Sequence, residues 1–270
     1  MHGYVHGTDP EEQRRLGLLN RLMNEPALRE IALAGGERIL DVGCGLGQLA
    51  RAMARAAARP VLGIERSEAQ IAEGRRLAAE AGETDLLEYR QGDAMAPPLG
   101  PGEAGSFDLA HARFILEHVP DPAAVVGAMV AAVRPGGRIV LQDEDHDILR
   151  LAPEVPGFER VWRAYIQTYV RNGADPYVGR RLPALLHGAG ARPVRATWLF
   201  FGAGPGEERL AALVENTARI LEGAEAPIVA TGLVEREAVQ QAVRELRRWG
   251  RRPDAALWYA IHYAEGVRPA

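Results

Sequence analysis

Short, nearly continuous apolar runs recur along the first half of the chain at residues 38–42, 61–64, 86–90, 107–110 and 138–142. Runs of that length bounded by glycine or acidic residues predict strands covered on both faces. Between them the spacing changes to the helical period. Residues 49–58 are strong helix formers, Ser67 is placed to cap a helix reaching Ala81, and residues 122–133 are helical up to the turn Arg134-Pro-Gly-Gly137. Upstream, Asp9 before Pro10 opens a helix over residues 9–23, with Leu16, Leu19, Leu22 and Met23 on one side and Glu11, Glu12, Arg14 and Arg15 on the other. Strands alternating with helices predict right-handed crossovers and a parallel, doubly wound α/β sheet.

After Asp147 the rhythm loosens. Helices are expected over residues 158–170, 180–186, 207–221 and 233–249, with strands at 197–201 and 256–262. No internal repeat or low-complexity linker divides the chain, so one domain with insertions is expected rather than two. The expected parts are an N-terminal helical cap over residues 1–34, a Rossmann-like core over 35–147, and insertion helices with C-terminal strands over 148–270 completing the same domain.

Composition narrows the chemistry only by exclusion. The chain has 270 residues, 47% hydrophobic and 25% charged, with a formal net charge of −4; nothing in that balance calls for a nucleic-acid partner. All 32 basic residues are arginine, which excludes a lysine Schiff base from this chain. The single cysteine, Cys44, can form neither an internal disulfide nor a multi-cysteine zinc site. With no signal-peptide pattern and no apolar stretch of membrane-spanning length, a cytoplasmic protein is expected.

The richest stretch is Ile39-Leu-Asp-Val-Gly-Cys-Gly-Leu-Gly47, where Gly43, Gly45 and Gly47 leave a strand and open a helix. Glycines there permit a tight turn and close approach of backbone to a ligand. Glu65 ends the second strand, where an acid can accept hydrogen bonds from a ribose diol, and Gly92-Asp93-Ala94 puts a second carboxylate after the third. A nicotinamide dinucleotide would need glycine at position 48 in the G-x-G-x-x-G fingerprint, and Gln48 stands there.

With those residues in view, the sequence resembles the class I, Rossmann-like S-adenosylmethionine-dependent methyltransferases of the small-molecule type over roughly residues 35–145. The marks are the loop through Gly47, Gly63-Ile-Glu65, Gly92-Asp-Ala94, the run from Phe107 through Leu116-Glu-His-Val-Pro120 to Pro122, and Arg134-Pro-Gly-Gly-Arg138. The resemblance implies a mostly parallel seven-stranded sheet of order 3-2-1-4-5-7-6 whose last strand is antiparallel. It also implies S-adenosyl-L-methionine as cofactor and S-adenosyl-L-homocysteine as product. By the same resemblance Asp41, Gly43, Gly45 and Gly47 face the methionine and ribose portions, Glu65 with Arg66 holds the ribose, and Asp93 with Ala94 meets adenine. His111 and Arg113 run beside the methionine end, and Tyr4 closes a lid over the cofactor.

Methyl transfer from a sulfonium needs alignment and exclusion of water before it needs a base. Where the acceptor must lose a proton, His111 and His118 are the nearest candidate bases. Asp143 and Glu144 lead the run Asp143-Glu-Asp-His-Asp147 off the fifth strand; that run reads as a solvated loop, an amine or proton-acceptor site, or an oxygen-ligand metal site, and no metal ligand set is singled out. Trp162, Tyr165 and Tyr169 fall at helical spacing and, with Tyr177, read as core or as a substrate wall. The function expected is transfer of a methyl group to an oxygen, nitrogen or carbon of a small organic acceptor in a lidded pocket. A non-catalytic S-adenosylmethionine-binding module is the alternative, and a protein or RNA methyltransferase a third reading.

Overall fold

A computed structural model describes residues 23–270 of the chain. Tyr4 and the expected helix over 9–22 lie outside the described residues. Residues 23–31 are helical (α1), past the expected end at Met23, because Ala27 and Ile31 continue the apolar spacing and are fully buried.

Alternation along β1 (Ile39–Val42) explains the layering. Leu40 and Val42 point into a core with Val125, Val126 and Met129 of α4 (Pro122–Ala132), while Ile39 points the other way, onto Leu49, Ala50 and Met53 of α2 (Gln48–Ala57). A strand covered on both faces must be apolar at both parities. Parallel neighbours follow as expected: β2 (Val61–Glu65) and β3 (Leu87–Gln91) on one side of β1, β4 (Phe107–Arg113) and β5 (Val133–Asp143) on the other. The helix α3 (Glu68–Glu80) joins β2 to β3, and the Ser67 hydroxyl accepts from the Gln70 amide at 3.3 Å, as the sequence predicts for a cap.

Two features differ from expectation. Residues 134–137, expected as a turn before the fifth strand, are an irregular excursion within β5: Phe107 pairs with Val133, and the register resumes at Leu109 with Arg138. The sheet also has eight strands, because three residues after β5, Arg150–Ala152 (β6), pair antiparallel with the start of β8 (Ala256–Val267). β8 also pairs antiparallel with β5 and, along its opposite edge, with β7 (Arg192–Ala203). Without the short β6 this is the expected 3-2-1-4-5-7-6 order with its last strand antiparallel.

The remaining helices, α5 (Phe158–Arg171), α6 (Leu182–Gly188), α7 (Glu208–Gly223), α8 (Glu225–Ala230) and α9 (Arg236–Trp249), come from the second half of the chain. Four of them, α5 and α7–α9, share a core of their own with Leu257 and Tyr259 of β8, over the end of the sheet where β5 finishes. They roof the region where the strand-end loops carry the candidate residues.

One ion pair fastens the antiparallel strand to this frame. Arg138 on β5 donates to Glu265 on β8 at 2.7 Å and to the Ile31 carbonyl at 2.6 Å, and the Tyr263 hydroxyl donates to Glu265 at 2.9 Å. Burial alone would raise the Glu265 carboxyl; the Arg138 guanidinium overrides it and holds that carboxyl below the ordinary range. A carboxyl held low contributes stability above its unfolded value, about 4.3, and loses it as pH falls through the folded value. Glu265→Gln is therefore expected to cost about 1–3 kcal/mol in urea unfolding at pH 7, with the deficit relative to the parent shrinking as the titration is repeated toward pH 3.

Candidate functional site

The loop after β1 is shaped by local backbone demands. Gly43, Gly45 and Gly47 have φ of 72°, 53° and 70°, in the left-handed region that disfavours side chains. Glu65 at the end of β2 holds the turn they make: one carboxylate oxygen accepts from the Gly45 amide at 3.0 Å, the other from the Ser67 amide at 2.8 Å. Glu65 is thus fixed at the rim of the cleft by the loop it faces.

That cleft has a volume of about 370 Å³, and Asp41, Gly43, Gly45, Glu65, Arg66, Asp93, Ala94, His111 and Arg113 all line it. The structure therefore gathers nearly every residue expected at a cofactor, contributed by four successive strand ends. Among the described residues Gly47 is the exception: it lies beneath the loop, where a Cβ would stand 2.2 Å from Leu87 Cδ2 and 2.3 Å from the Tyr89 hydroxyl. Asp93 is exposed, its Oδ1 accepting from the Met95 amide at 2.8 Å.

Deeper in the cleft, Asp41 on β1 and His111 on β4 are register partners, and Asp41 Oδ1 lies 2.7 Å from His111 Nδ1. Both are buried, and His111 Nε2 has no hydrogen-bond partner among the described residues. A buried imidazole nitrogen left unmatched at the wall of a cleft suits a polar ligand group that supplies the missing bond. Asp41 on its other nitrogen fixes the orientation of the His111 ring. Arg113, next along β4, donates to Asn24 at 2.8 Å and so ties the strand end to α1.

A second cavity, of about 70 Å³, adjoins the first. Phe114 and His118 line both. Phe114 has a φ of 56°, rare for a bulky residue, and strain of that kind persists where the surroundings over-determine it. His118 stacks on Tyr169, ring centroids 5.6 Å apart, and its Nε2 lies 3.4 Å from Glu117 Oε1. Trp162, Tyr165 and Tyr169 of α5 are buried and also form walls of this cavity, so they are core and chamber wall together. Tyr177 is not among the wall residues; the Arg180 guanidinium lies over its ring at 5.0 Å.

Asp143 departs from its expected role. It lines neither cavity; Oδ2 accepts from the amides of Ile115 at 3.2 Å and Leu116 at 2.8 Å, and Oδ1 accepts from the Glu144 amide at 2.9 Å. Burial and the neighbouring Glu117 carboxylate push its carboxyl well above the usual range, against those three backbone donors. Asp143 therefore holds the turn at Ile115 and Leu116 in place. Glu144 does line the second cavity, with Glu117 and His146, neither of which the sequence pattern singles out. Glu117 is visible there only as a letter of the Leu116-Glu-His-Val-Pro120 string, and His146 only as the imidazole of the acidic run.

Comparison with known proteins bears on what this arrangement is. A family described as a methyltransferase domain matches residues 12–194, from before α1 into β7, and so includes the cleft and all five motifs. The chain belongs to that methyltransferase-domain family. A ubiquinone biosynthesis O-methyltransferase of Acinetobacter baumannii (strain AYE) is 44% identical over 104 residues, which are 38% of this chain and 42% of that protein. The chain thus matches about two fifths of the length of that relative. Among solved structures, geranyl diphosphate C-methyltransferase from Streptomyces coelicolor A3(2), in complex with Mg2+, geranyl diphosphate and S-adenosyl-L-homocysteine, has a TM-score of 0.56 at 16% identity, covering 98% of this chain and 88% of that one. The 4+2 cyclase SpnF has a TM-score of 0.54 at 22% identity, covering 93% and 82%. At such identities the structures establish the methyltransferase fold alone, and the cyclase shows that the fold also carries other chemistry. Family membership bears out the resemblance to the S-adenosylmethionine-dependent class I methyltransferases.

Proposed function

We propose that the chain is an S-adenosylmethionine-dependent methyltransferase acting on a small organic acceptor held in the second cavity. The observation that carries this reading is the junction: Phe114 and His118 are walls of both the cleft and the aromatic chamber, so the two compartments meet at one pair of side chains. Bound in the cleft, S-adenosylmethionine would supply an electrophilic methyl carbon. Glu65 is placed to accept from a ribose diol, His111 Nε2 to complete its bonding with a polar group of the ligand, and Asp93 and the Ala94 segment to meet the base. Phe114 and the α5 aromatics exclude water from the chamber, which strengthens any electrostatic interaction made there. His118 faces both sides and is assigned the proton of an acceptor hydroxyl or amine.

The chamber is roofed by α5 and α7, which favours a small acceptor over a protein or RNA. We assign the parts accordingly: residues 1–34 as a cap, 35–147 as the cofactor core and 148–270 as the chamber and sheet completion. No helix of the described residues is long and apolar enough to cross a membrane, and we place the protein in the cytoplasm.

Calorimetric titration with S-adenosylhomocysteine tests the cleft. Micromolar binding by the intact chain is expected. It should weaken about 10- to 100-fold in Glu65→Ala, the loss of a charge-assisted pair of hydrogen bonds. An intact, folded chain that binds none would sink the reading; one that binds it yet methylates no acceptor in a broad screen would favour a non-catalytic module.

A further inference from the structure

We propose that Glu117, Glu144 and His146 form a divalent-cation site in the wall of the second cavity, and that the acceptor is a phenol or enol whose oxygen completes the ion's coordination. The proposal rests on the second cavity being the acceptor chamber. Among the described residues these three bring one ligand atom each to within 4.8 Å of one another. They come from two separate turns, Glu117 from the loop after β4 and His146 with Glu144 from the loop after β5, so folding rather than sequence proximity assembles the set.

The spacing suits an ion. His146 Nε2 stands 2.9 Å from Glu117 Oε2 and 3.5 Å from Glu144 Oε2. Ligand atoms held at about 2.0–2.2 Å from one metal centre stand about 3.0–3.5 Å apart when adjacent. Without an ion, an imidazole proton shared with Glu117 accounts for the shorter separation, so the same geometry serves both states. Glu117 and His146 are buried, and Tyr259, 3.5 Å from His146 Nδ1, faces the ring nitrogen that would not bind metal. Such an outer contact fixes which nitrogen points at the ion.

Two carboxylate oxygens and one imidazole nitrogen favour Mn2+ or Zn2+ over Mg2+ or Ca2+, which prefer all-oxygen sets. Three protein ligands would not fill an ion's coordination shell, and all three line the chamber walled by Trp162, Tyr165 and Tyr169. An aromatic ring bearing an oxygen fits both halves of that surface, its face against the aromatic side chains and its oxygen on the ion. Coordination lowers the proton affinity of a bound oxygen, and His118, next to Glu117 in the same turn, takes the released proton.

The test is titration of the intact chain with MnCl2, followed by calorimetry and by the electron paramagnetic resonance signal of free Mn2+, with S-adenosylhomocysteine affinity measured alongside. One saturable Mn2+ per chain is expected, weakened at least about tenfold in Glu117→Gln and in Glu144→Gln, each a loss of about 1.4 kcal/mol or more. Neither residue lines the cofactor cleft, so both variants should bind S-adenosylhomocysteine as the parent does, which also shows that they fold. A chain that binds S-adenosylhomocysteine but no Mn2+ overturns the cation site and leaves the methyltransferase reading standing. Mn2+ binding unchanged in both variants overturns it too, because the ion then sits elsewhere. A chain that binds neither metal nor S-adenosylhomocysteine overturns both.

Discussion

Replacing Gly47 with valine is expected to lower stability by about 2–6 kcal/mol in urea unfolding, since backbone strain and overpacking fall on the same residue. The left-handed φ of 70° disfavours any β-branched side chain, and the added Cβ would lie within 2.3 Å of both Leu87 and the Tyr89 hydroxyl. Those two side chains belong to β3 and pack under the loop in the core shared by α2 and β1. The core cannot give way there without moving the strand that leads to Asp93. Gly45→Ala provides the comparison. It has a similarly forbidden φ of 53°, but its Cβ would meet only the end of the Gln70 side chain, at 3.1 Å. A markedly smaller loss is expected for Gly45→Ala, near the strain alone, about 1–3 kcal/mol. Equal losses at the two positions would show that packing beneath the loop contributes nothing.

The contrast between these glycines marks what sequence can convey. A glycine loop after a strand is a local demand of the backbone, so Gly43, Gly45 and Gly47 are legible from the order of residues alone. Acids at the ends of successive parallel strands share one edge of the sheet by topology, which makes Glu65 and Asp93 legible too. The three glycines nonetheless do different work, and only their packing separates Gly47, under the loop, from Gly45, on the cleft.

Other parts have no local signature. The apolar run at 197–201 predicts only part of β7, which extends over Arg192–Ala203. Among the described residues that strand is paired on one side only, and its first half, Arg192 to Thr197, is largely exposed and carries little apolar signal. β6 is three residues long and exists because β8 continues past the end of β5. Asp143 reads in the sequence as facing a substrate because it ends a strand beside other acids; its side chain instead turns under residues 115 and 116, a choice made by loop geometry. The meeting of Glu117 with His146, 29 residues apart, depends on how two strand-end loops close against helices from the second half of the chain. Residues that lie along an element's own period are readable, whereas those that meet across loops are not.

His118→Asn is expected to reduce kcat about 10²- to 10⁴-fold for an acceptor that must lose a proton, the range typical for removal of a general base. The affinity for S-adenosylhomocysteine should change far less, because Glu65, His111 and the glycine loop remain in place. Position is what suits His118 to this role: it stands at the wall common to cleft and chamber, its ring held by stacking on Tyr169 and its Nε2 near Glu117. A side chain fixed that way can take a proton without a conformational search. A base and a mere wall at this position differ in one measurable respect. An acceptor that is already anionic, such as a thiolate of similar shape, has no proton to give up. For a base, the His118→Asn defect should largely vanish with that acceptor; for a wall, it should persist, since shape is lost in both cases. A defect of equal size with both acceptors would remove His118 from the chemistry and leave alignment at the Phe114 junction as the chain's main contribution to rate.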